Sequence, residues 1–171
     1  MGRKRFDRMN CGIAQALEAL GDWWTLLIVR DAFFGVRRFG DFQRSLGIAK
    51  NVLSLRLQHL LEHDIFERVD IGVEGERFEY QLTPKGEALL TVLTAMREWS
   101  DEWVYGRGNE PVIVRERSTG KRIAKLRVSA SDGTPLTRRE LLMEAGPGAS
   151  AQTIRRFARG PGGAKAARPS S

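Results

Sequence analysis

The chain has 171 residues, a net charge of +7 and an apolar fraction of 42%, enough for one domain with a core and an appendage. No apolar run is long enough to span a membrane, and no signal-peptide core follows the N-terminal MGRKRFDRMN. We therefore expect a cytoplasmic protein without a membrane partner. One cysteine and two histidines exclude a disulfide framework and leave little material for metal or Ser-His-Asp chemistry. We expect neither an enzymatic activity nor a cofactor.

Charge and composition divide the chain near residue 106. Residues 1–58 and 106–171 are basic, whereas residues 59–105 are acidic. Solubility explains a basic tail as well as a polyanionic partner does, but the positive charge of the first half coincides with a helical pattern and favours nucleic acid. We predict a helical domain over 1–105, a small β-hairpin appendage over 106–145 and a flexible basic tail over 146–171.

Apolar spacing predicts four helices in the first part of the chain, over 12–20, 23–34, 39–45 and 49–63. The second helix is apolar nearly all round and follows a capping Asp22, so we expect it to be the buried central helix. Alternating residues over 65–71 and 77–82 predict two strands joined by a turn. Thr83-Pro84 then begins a long helix over 84–104, because Thr caps well and Pro is favoured in the first turn.

The long helix carries an apolar stripe with helical spacing, formed by Leu89, Leu93, Met96, Trp99 and Trp103. The helix would be about 30 Å long, and its stripe offers more apolar surface than a small domain is expected to cover. Either the stripe closes over the domain's own core, or it packs against a second copy of the chain. We favour the second alternative, which predicts a homodimer with these five residues in its interface.

The order of elements predicts a winged helix-turn-helix, so the fold class is α+β and mostly α. A short helix, a tight turn at Leu46-Gly47-Ile48 and a second helix are followed by a β-hairpin, the two-stranded wing. In helix 49–63 the leucines at 53, 57, 60 and 61 form the core stripe. The residues pointing away from that stripe are Lys50, Asn51, Ser54, Leu55 and Gln58.

The outward face of helix 49–63 has side chains that can read DNA. Asn and Gln make bidentate contacts with adenine, and Lys contacts guanine or phosphate. A solvated helix face is the alternative, but the helix-turn-helix context and the local positive charge favour DNA. We expect Asn51, Ser54 and Gln58 to contact base edges. The residues expected to contact phosphates are Arg37, Arg38, Lys50, Arg56 and Arg77.

Several ordered segments resemble the HxlR-type family of bacterial winged helix-turn-helix regulators. They include Cys11-Gly12-Ile13, Trp24-Thr25-Leu26-Leu27, Arg38-Phe39-x-Asp41-Phe42, Leu53-Ser54-x-Arg56-Leu57 and Glu79-Tyr80-x-Leu82-Thr83. The resemblance spans roughly residues 11–104. It implies a homodimeric transcription factor whose first and last domain helices form the dimer interface, bound to an inverted-repeat operator in double-stranded DNA.

The chain departs from the family pattern at four places. Gly12 follows the cysteine where the family usually has Pro, and Trp23 stands where it usually has Lys. The recognition helix opens with Ala49, a weak cap, in place of Ser. The wing turn is Glu74-Gly75-Glu76, whose acidic side chains would repel phosphate. Wing contacts with DNA are therefore expected to be weaker than helix contacts.

Three further features could carry chemistry. Cys11 matches the position of a redox- or electrophile-sensing thiol in some family members, and the nearby Arg8 and helix start would favour its thiolate; a small buried side chain is the alternative. His59 and His63 lack further metal ligands, so we expect ordinary surface residues. The appendage resembles the two knuckles of a zinc ribbon without its cysteines, and we expect no metal there.

Two function classes follow from these observations. The first is a dimeric regulator with operator specificity and an effector that the sequence does not identify. The second is a winged-helix module for protein interaction or non-specific nucleic-acid binding, which the acidic wing and the altered appendage favour. A strong preference for one palindromic site over random DNA separates the two.

Overall fold

The computed structural model describes residues 6–72 and 78–158 and has the winged helix-turn-helix fold. Its first helices are α1 (Gly12–Leu20), α2 (Trp23–Phe33), α3 (Phe39–Leu46) and α4 (Lys50–Glu62). The hairpin strands β1 (Phe66–Asp70) and β2 (Phe78–Leu82) follow. The remaining elements are α5 (Pro84–Glu87), α6 (Leu89–Ser100), a π-helical turn (Asp101–Tyr105), a 3-10 turn (Arg138–Glu140) and α7 (Ala151–Ala158). No helix of the described ranges has the length and apolar character needed to cross a membrane.

Local signals in the sequence explain where the helices begin and end. The Asp22 carboxylate accepts a hydrogen bond from the Thr25 amide and caps α2, as predicted. The Thr83 hydroxyl caps α5 by accepting from the Gly86 amide. Gly47, between α3 and α4, has φ of 60°, a left-handed conformation that glycine adopts without strain. This turn fixes the angle at which α4 leaves α3.

Helix α2 is central to the core, as its composition predicts. Ile28 and Val29 are completely buried, and α3 and α4 pack against them with Phe42, Leu53 and Leu60. Side chains of β1 and β2 close the same cluster, with Phe66 and Tyr80 making edge-to-face contacts with the Phe42 ring. Complete burial of one such side chain is worth about 1.5–3 kcal/mol. The core therefore fixes the buried face of α4 against α2.

The wing is an antiparallel hairpin formed by β1 and β2. Its register runs from Phe66 opposite Leu82 to Asp70 opposite Phe78. The predicted wing turn, together with Arg77, lies outside the described residues. The Tyr80 amide donates to the Arg37 carbonyl at 2.8 Å, so the segment before α3 is tied to the hairpin.

The long helix predicted over 84–104 is divided in the structure. Helices α5 and α6 meet at Ala88, which keeps helical backbone angles, and the π-helical turn ends the run at Tyr105. Gly86 is buried against β1, where a Cβ atom would lie 2.2 Å from the Ile65 carbonyl oxygen. The single turn of α5 thus packs closely against Ile65, just before β1, and the division between α5 and α6 follows at Ala88.

The appendage, predicted as a small β-hairpin, has short antiparallel pairings and no continuous strands among its described residues. Within the described residues, pairing is limited to two turns, with isolated bridges between Arg115 and Arg122 and between Ser129 and Pro135. Nearly all side chains of this segment are exposed, so the predicted strands have no apolar surface to pack on and do not extend. Instead, α6 and the π-helical turn after it hold the appendage: Glu98 of α6 accepts from the Leu126 amide at 3.0 Å, and Glu102 of the turn pairs with Lys125 at 3.1 Å.

The segment predicted as a flexible tail contains α7 in its described part. Asn10 holds this region: its Nδ2 donates to the Gly148 carbonyl at 3.1 Å. Its Oδ1 accepts from the Ser150 amide and from the Thr153 hydroxyl, both at 2.8 Å. Contacts with a residue so distant in sequence leave no trace in local composition, so α7 could not be predicted from the sequence of this segment.

Candidate nucleic-acid interface

Helix α4 presents a polar face on the side opposite its buried leucines. Leu53, Leu57 and Leu60 are buried in the core. The predicted outward residues are all exposed: Lys50, Asn51, Ser54, Leu55 and Gln58. Because residues three and four apart share one face of a helix, these side chains form one continuous surface. The periodicity of the sequence was sufficient to find it.

The N terminus of α4 has no side-chain cap among the described residues. Ala49 occupies the capping position in extended conformation and offers no side-chain acceptor, as its residue type predicts. The first amides of a helix carry partial positive charge and attract phosphate oxygens. Lys50, exposed in the first turn, adds a full charge to the same end of the helix.

Two arginines lie between α2 and α3, close to the hairpin. Arg37 and Arg38 are both exposed, and the Arg38 side chain is 65% accessible. Its Nε lies 3.5 Å from a carboxylate oxygen of Glu79 on β2. An ion pair this exposed is weak, so Arg38 can exchange Glu79 for a phosphate at small cost.

Arg56 is placed differently from the prediction of a phosphate contact. Its guanidinium turns toward the body of the domain and lies 2.6 Å from the Asp22 carboxylate, with only 20% of the side chain exposed. Asp22 is also the cap of α2. Arg56 therefore joins α4 to the central helix α2. The other predicted residues of α4 lie together on its exposed face, and Arg56 does not belong to that face.

The hairpin has a further cation that the sequence analysis did not single out. Arg68 on β1 is exposed, and its guanidinium lies 4.6 Å from the centre of the Phe78 ring. Stacking on an aromatic ring holds an arginine in place while leaving its edges open to an anion. The signal in the sequence was the alternation of residues along β1. In the hairpin, Arg68 pairs directly with Tyr80.

The polar side chains of α4 also interact with one another. Gln58 Nε2 donates to Glu62 Oε1 at 3.1 Å, one helical turn further along the helix. This exposed bond orients the Gln58 amide and is easily exchanged for a base edge. A Gln and a Glu four residues apart on one helix face were the sequence signal for the pair.

The predicted dimer stripe is only partly available to a partner. Leu89 and Leu93 pack against the domain's own core, as the first alternative expected. The remaining three, Met96, Trp99 and Trp103, are exposed, the tryptophans by 62% and 72%. Val92, which the sequence analysis omitted, lies on the same face and is also exposed. Helix α1 adds the exposed Ile13 and Leu17, one turn apart.

Cys11 occupies the capping position of α1 and is exposed. The backbone amides of Ala14 and Ile13 lower the pKa of the Cys11 thiol, and the positive charge of Arg156 on α7 lowers it further. The nearby cation that acts on the thiol is thus Arg156, whereas the sequence analysis expected Arg8. The rings of His59 and His63 are in contact, tilted by 43° with their centres 4.1 Å apart. No cluster of three or more potential metal ligands occurs in residues 6–72 and 78–158.

Comparison with known proteins gives one consistent result. Residues 19–107 match the HxlR-like helix-turn-helix family. The chain is 39% identical over 148 residues to an uncharacterized HTH-type transcriptional regulator of Mycobacterium bovis, covering 86% of this chain and 92% of the relative. The same identity and coverage hold for a regulator of this description from Mycobacterium tuberculosis.

Two solved structures agree in both sequence and fold. The crystal structure of PA1607, described as a candidate transcription factor, superposes with a TM-score of 0.75 at 40% identity. The superposed region covers 82% of this chain and 99% of the PA1607 chain. PA1374 from Pseudomonas aeruginosa superposes with a TM-score of 0.60 at 37% identity, covering 85% and 99% of the two chains. The similarity therefore extends beyond the winged domain into the appendage.

Proposed function

Because the chain belongs to the HxlR-like helix-turn-helix family of transcriptional regulators, we propose that it binds a specific operator as a homodimer, with α4 in the major groove. The observation that carries the proposal is the exposed polar face of α4 opposite the buried leucines Leu53, Leu57 and Leu60. A regulator of this kind acts on DNA in the bacterial cytoplasm and needs no catalytic residue or cofactor.

The residues at the interface divide into two groups by chemistry. Asn51, Ser54 and Gln58 carry neutral donors and acceptors on the outward face of α4, which suits base edges. Lys50, in the first turn of α4, and the exposed Arg37 and Arg38, in the segment before α3, carry positive charges, which suits phosphates. Arg77 stays a predicted phosphate contact from the sequence, and we add Arg68 on the wing. We leave Arg56 out, because its guanidinium is engaged by Asp22.

A second copy of the chain is the proposed partner for the exposed face of α6. Val92, Met96, Trp99 and Trp103 form one stripe that a solitary chain would leave in water, and α1 contributes Ile13 and Leu17. Exposed apolar patches rimmed by polar residues mark interfaces. An inverted-repeat operator requires a dimer with a twofold axis and with both copies of α4 on one side, which is the arrangement that we propose.

The test compares three variants on an operator and on random duplex DNA. Asn51→Ala and Gln58→Ala should cost about 1–3 kcal/mol on the operator and little on random DNA, because they remove base contacts. Arg38→Ala should weaken binding to both DNAs alike and lower the dependence on salt by about one unit, because it removes a phosphate contact. Titrations at several salt concentrations separate the two kinds of loss.

The same titrations decide between the two function classes. The operator comes from mapping bound sites across the genome, which supplies sequence and targets together. Equal losses on both DNAs for Asn51→Ala and Gln58→Ala would contradict the assignment of α4. A wild-type protein without preference for any site would favour the alternative, a winged-helix module for protein interaction or non-specific nucleic-acid binding.

A further inference from the structure

An apolar groove of about 530 Å³ lies between α2, α6 and the beginning of the appendage. Its volume is within the range of small-molecule binding sites, roughly 300–1,000 Å³. The apolar side chains that line it include Leu27, Phe34, Leu90, Leu93, Val112 and Val114. Three elements of one chain therefore form a site that contributes nothing to the α4 face or to the wing.

The charges at the groove are balanced in pairs. Arg30 donates through Nε and Nη2 to the Asp31 carboxylate, at 2.9 and 2.6 Å. Arg97 donates through Nη1 to Asp101 at 2.6 Å. The two arginines that line the groove are thus already neutralised by carboxylates. A charged ligand would lose hydration without finding a free counter-charge, so the groove suits an uncharged molecule.

The groove and the proposed dimer stripe lie on adjoining faces of α6 and meet at Met96, which belongs to both. Leu90 lines the groove, whereas Val92 lies on the exposed stripe. Side chains two positions apart on an α-helix point about 160° away from each other. Pro111, Val112 and Val114 of the same chain form the outer wall of the groove. A groove of this volume, with lining from three elements of one chain and with its two arginines already paired, suits a small uncharged ligand as the occupant.

We propose that this groove binds an uncharged, mainly apolar small molecule of aromatic or alkyl character. The ligand would contact α2 and α6 together. Because α2 packs directly against α3 and α4, a change in its position relative to α6 would alter how the two recognition helices of a dimer are spaced. That consequence rests on the proposed function, whereas ligand binding does not.

Two fluorescent probes with the same ring system test the preference for an uncharged ligand. N-phenyl-1-naphthylamine is neutral, and 1-anilinonaphthalene-8-sulfonate adds one negative charge. The neutral probe should bind saturably, at one molecule per chain, and more tightly than the sulfonate by on the order of tenfold, because the sulfonate must be desolvated. A sulfonate that binds equally or better, or a neutral probe that does not saturate, would overturn the proposal.

A matched pair of variants locates the site. Val112 and Val128 are both exposed valines of the appendage, but only Val112 lines the groove. Val112→Glu should weaken the neutral probe by on the order of tenfold, because it places a charge in the apolar wall. Val128→Glu should change the affinity by less than about twofold, as surface substitutions do. Equal effects of the two variants would place the probe elsewhere.

The melting temperature and the dependence of probe affinity on protein concentration test the site further. Saturating neutral probe should raise the melting temperature of the wild type, because a ligand that binds only the native state stabilises it. A lowered melting temperature would show binding to the unfolded chain and would contradict the site. Probe affinity that falls as the protein is concentrated through dimerisation would show that a second copy fills the groove. All these measurements omit DNA, so failure of operator binding cannot be mistaken for failure of the groove.

Discussion

The Cys11 thiol is exposed at the first turn of α1, and its surroundings favour the charged form. The amides of Ala14 and Ile13 and the Arg156 guanidinium lower its pKa. A lowered pKa means that more thiolate is present at any pH below the ordinary value, so alkylation is faster there. Whether the protein uses this thiol as a sensor of oxidants or electrophiles stays a prediction.

The rate of alkylation by iodoacetamide as a function of pH tests the thiol. We expect its midpoint at lower pH in the folded protein than in the urea-unfolded chain. Arg156→Gln should move the midpoint upward, because it removes one positive charge, whereas the neighbouring Arg155→Gln serves as the control. A folded-state midpoint at or above that of the unfolded chain would contradict the described geometry.

Among the glycines in residues 6–72 and 78–158, Gly86 has the least room for a side chain. A Cβ atom there would lie 2.2 Å from the Ile65 carbonyl oxygen and 2.9 Å from the Leu82 side chain. Gly86→Ala should therefore lower the free energy of unfolding by about 1–3 kcal/mol through overpacking. Gly40, in α3, has nothing within 4 Å of its Cβ position, so Gly40→Ala should raise it by about 0.5–1 kcal/mol. Urea denaturation measures both, and a stable Gly86→Ala protein would contradict the packing of α5 on β1.

Among the elements, α2 and α4 are joined by one ion pair with two functions. Asp22 caps α2 through the Thr25 amide and accepts Arg56 of α4 at 2.6 Å. The pair is mostly buried, so losing Arg56 leaves a carboxylate without its main counter-charge. The pair therefore fixes the recognition helix relative to the core.

Arg56→Ala should lower the free energy of unfolding by on the order of 1–3 kcal/mol, because Asp22 loses a charged hydrogen-bond donor. Arg44→Ala is the control, since Arg44 also pairs with an aspartate but is 81% exposed, and its loss should be near zero. Urea denaturation without DNA gives both values. An Arg56→Ala protein as stable as wild type, with reduced affinity for DNA, would return Arg56 to the phosphate contacts.

Elements with strong local signals could be predicted from the sequence, and those set by distant contacts could not. The first four helices and both strands lie within a residue or two of their predicted ends, because Asp22, Gly47 and Thr83 mark boundaries by local chemistry. In the appendage, pairing is limited to isolated bridges, and α7 was not predicted. Alternation alone predicts strands without a partner surface, and α7 depends on Asn10 at the other end of the chain.

The candidate site was predictable to the same extent and for the same reason. Helical periodicity separates Asn51, Ser54 and Gln58 from the core leucines without any knowledge of tertiary contacts. The direction of Arg56 could not be predicted, because it depends on where the cap of a different helix lies. The division of the apolar stripe, with Leu93 packed inward and Trp99 exposed, depends equally on how α6 meets α2.

At the level of the complete protein, the exposed stripe of α6 predicts a dimer at micromolar concentration. Met96→Asp with Trp99→Asp should convert it to a monomer, because two carboxylates would have to be buried in the interface. Leu142→Asp with Met143→Asp is the control, since these apolar side chains are at least as exposed but lie in the appendage. Sedimentation analysis reports the masses. A wild-type protein that sediments as a monomer would contradict the proposed interface.

The central claim is that two copies of α4 read one twofold-symmetric DNA site. Selection of bound sequences from a random duplex library by the wild-type protein tests it most directly. We predict enrichment of an inverted repeat whose half-site centres lie one DNA turn apart, roughly 34–36 Å, or an integral multiple of that spacing. Loss of that enrichment in Asn51→Ala would assign the reading to α4. A library that stays random, or an enriched sequence without twofold symmetry, would contradict the claim.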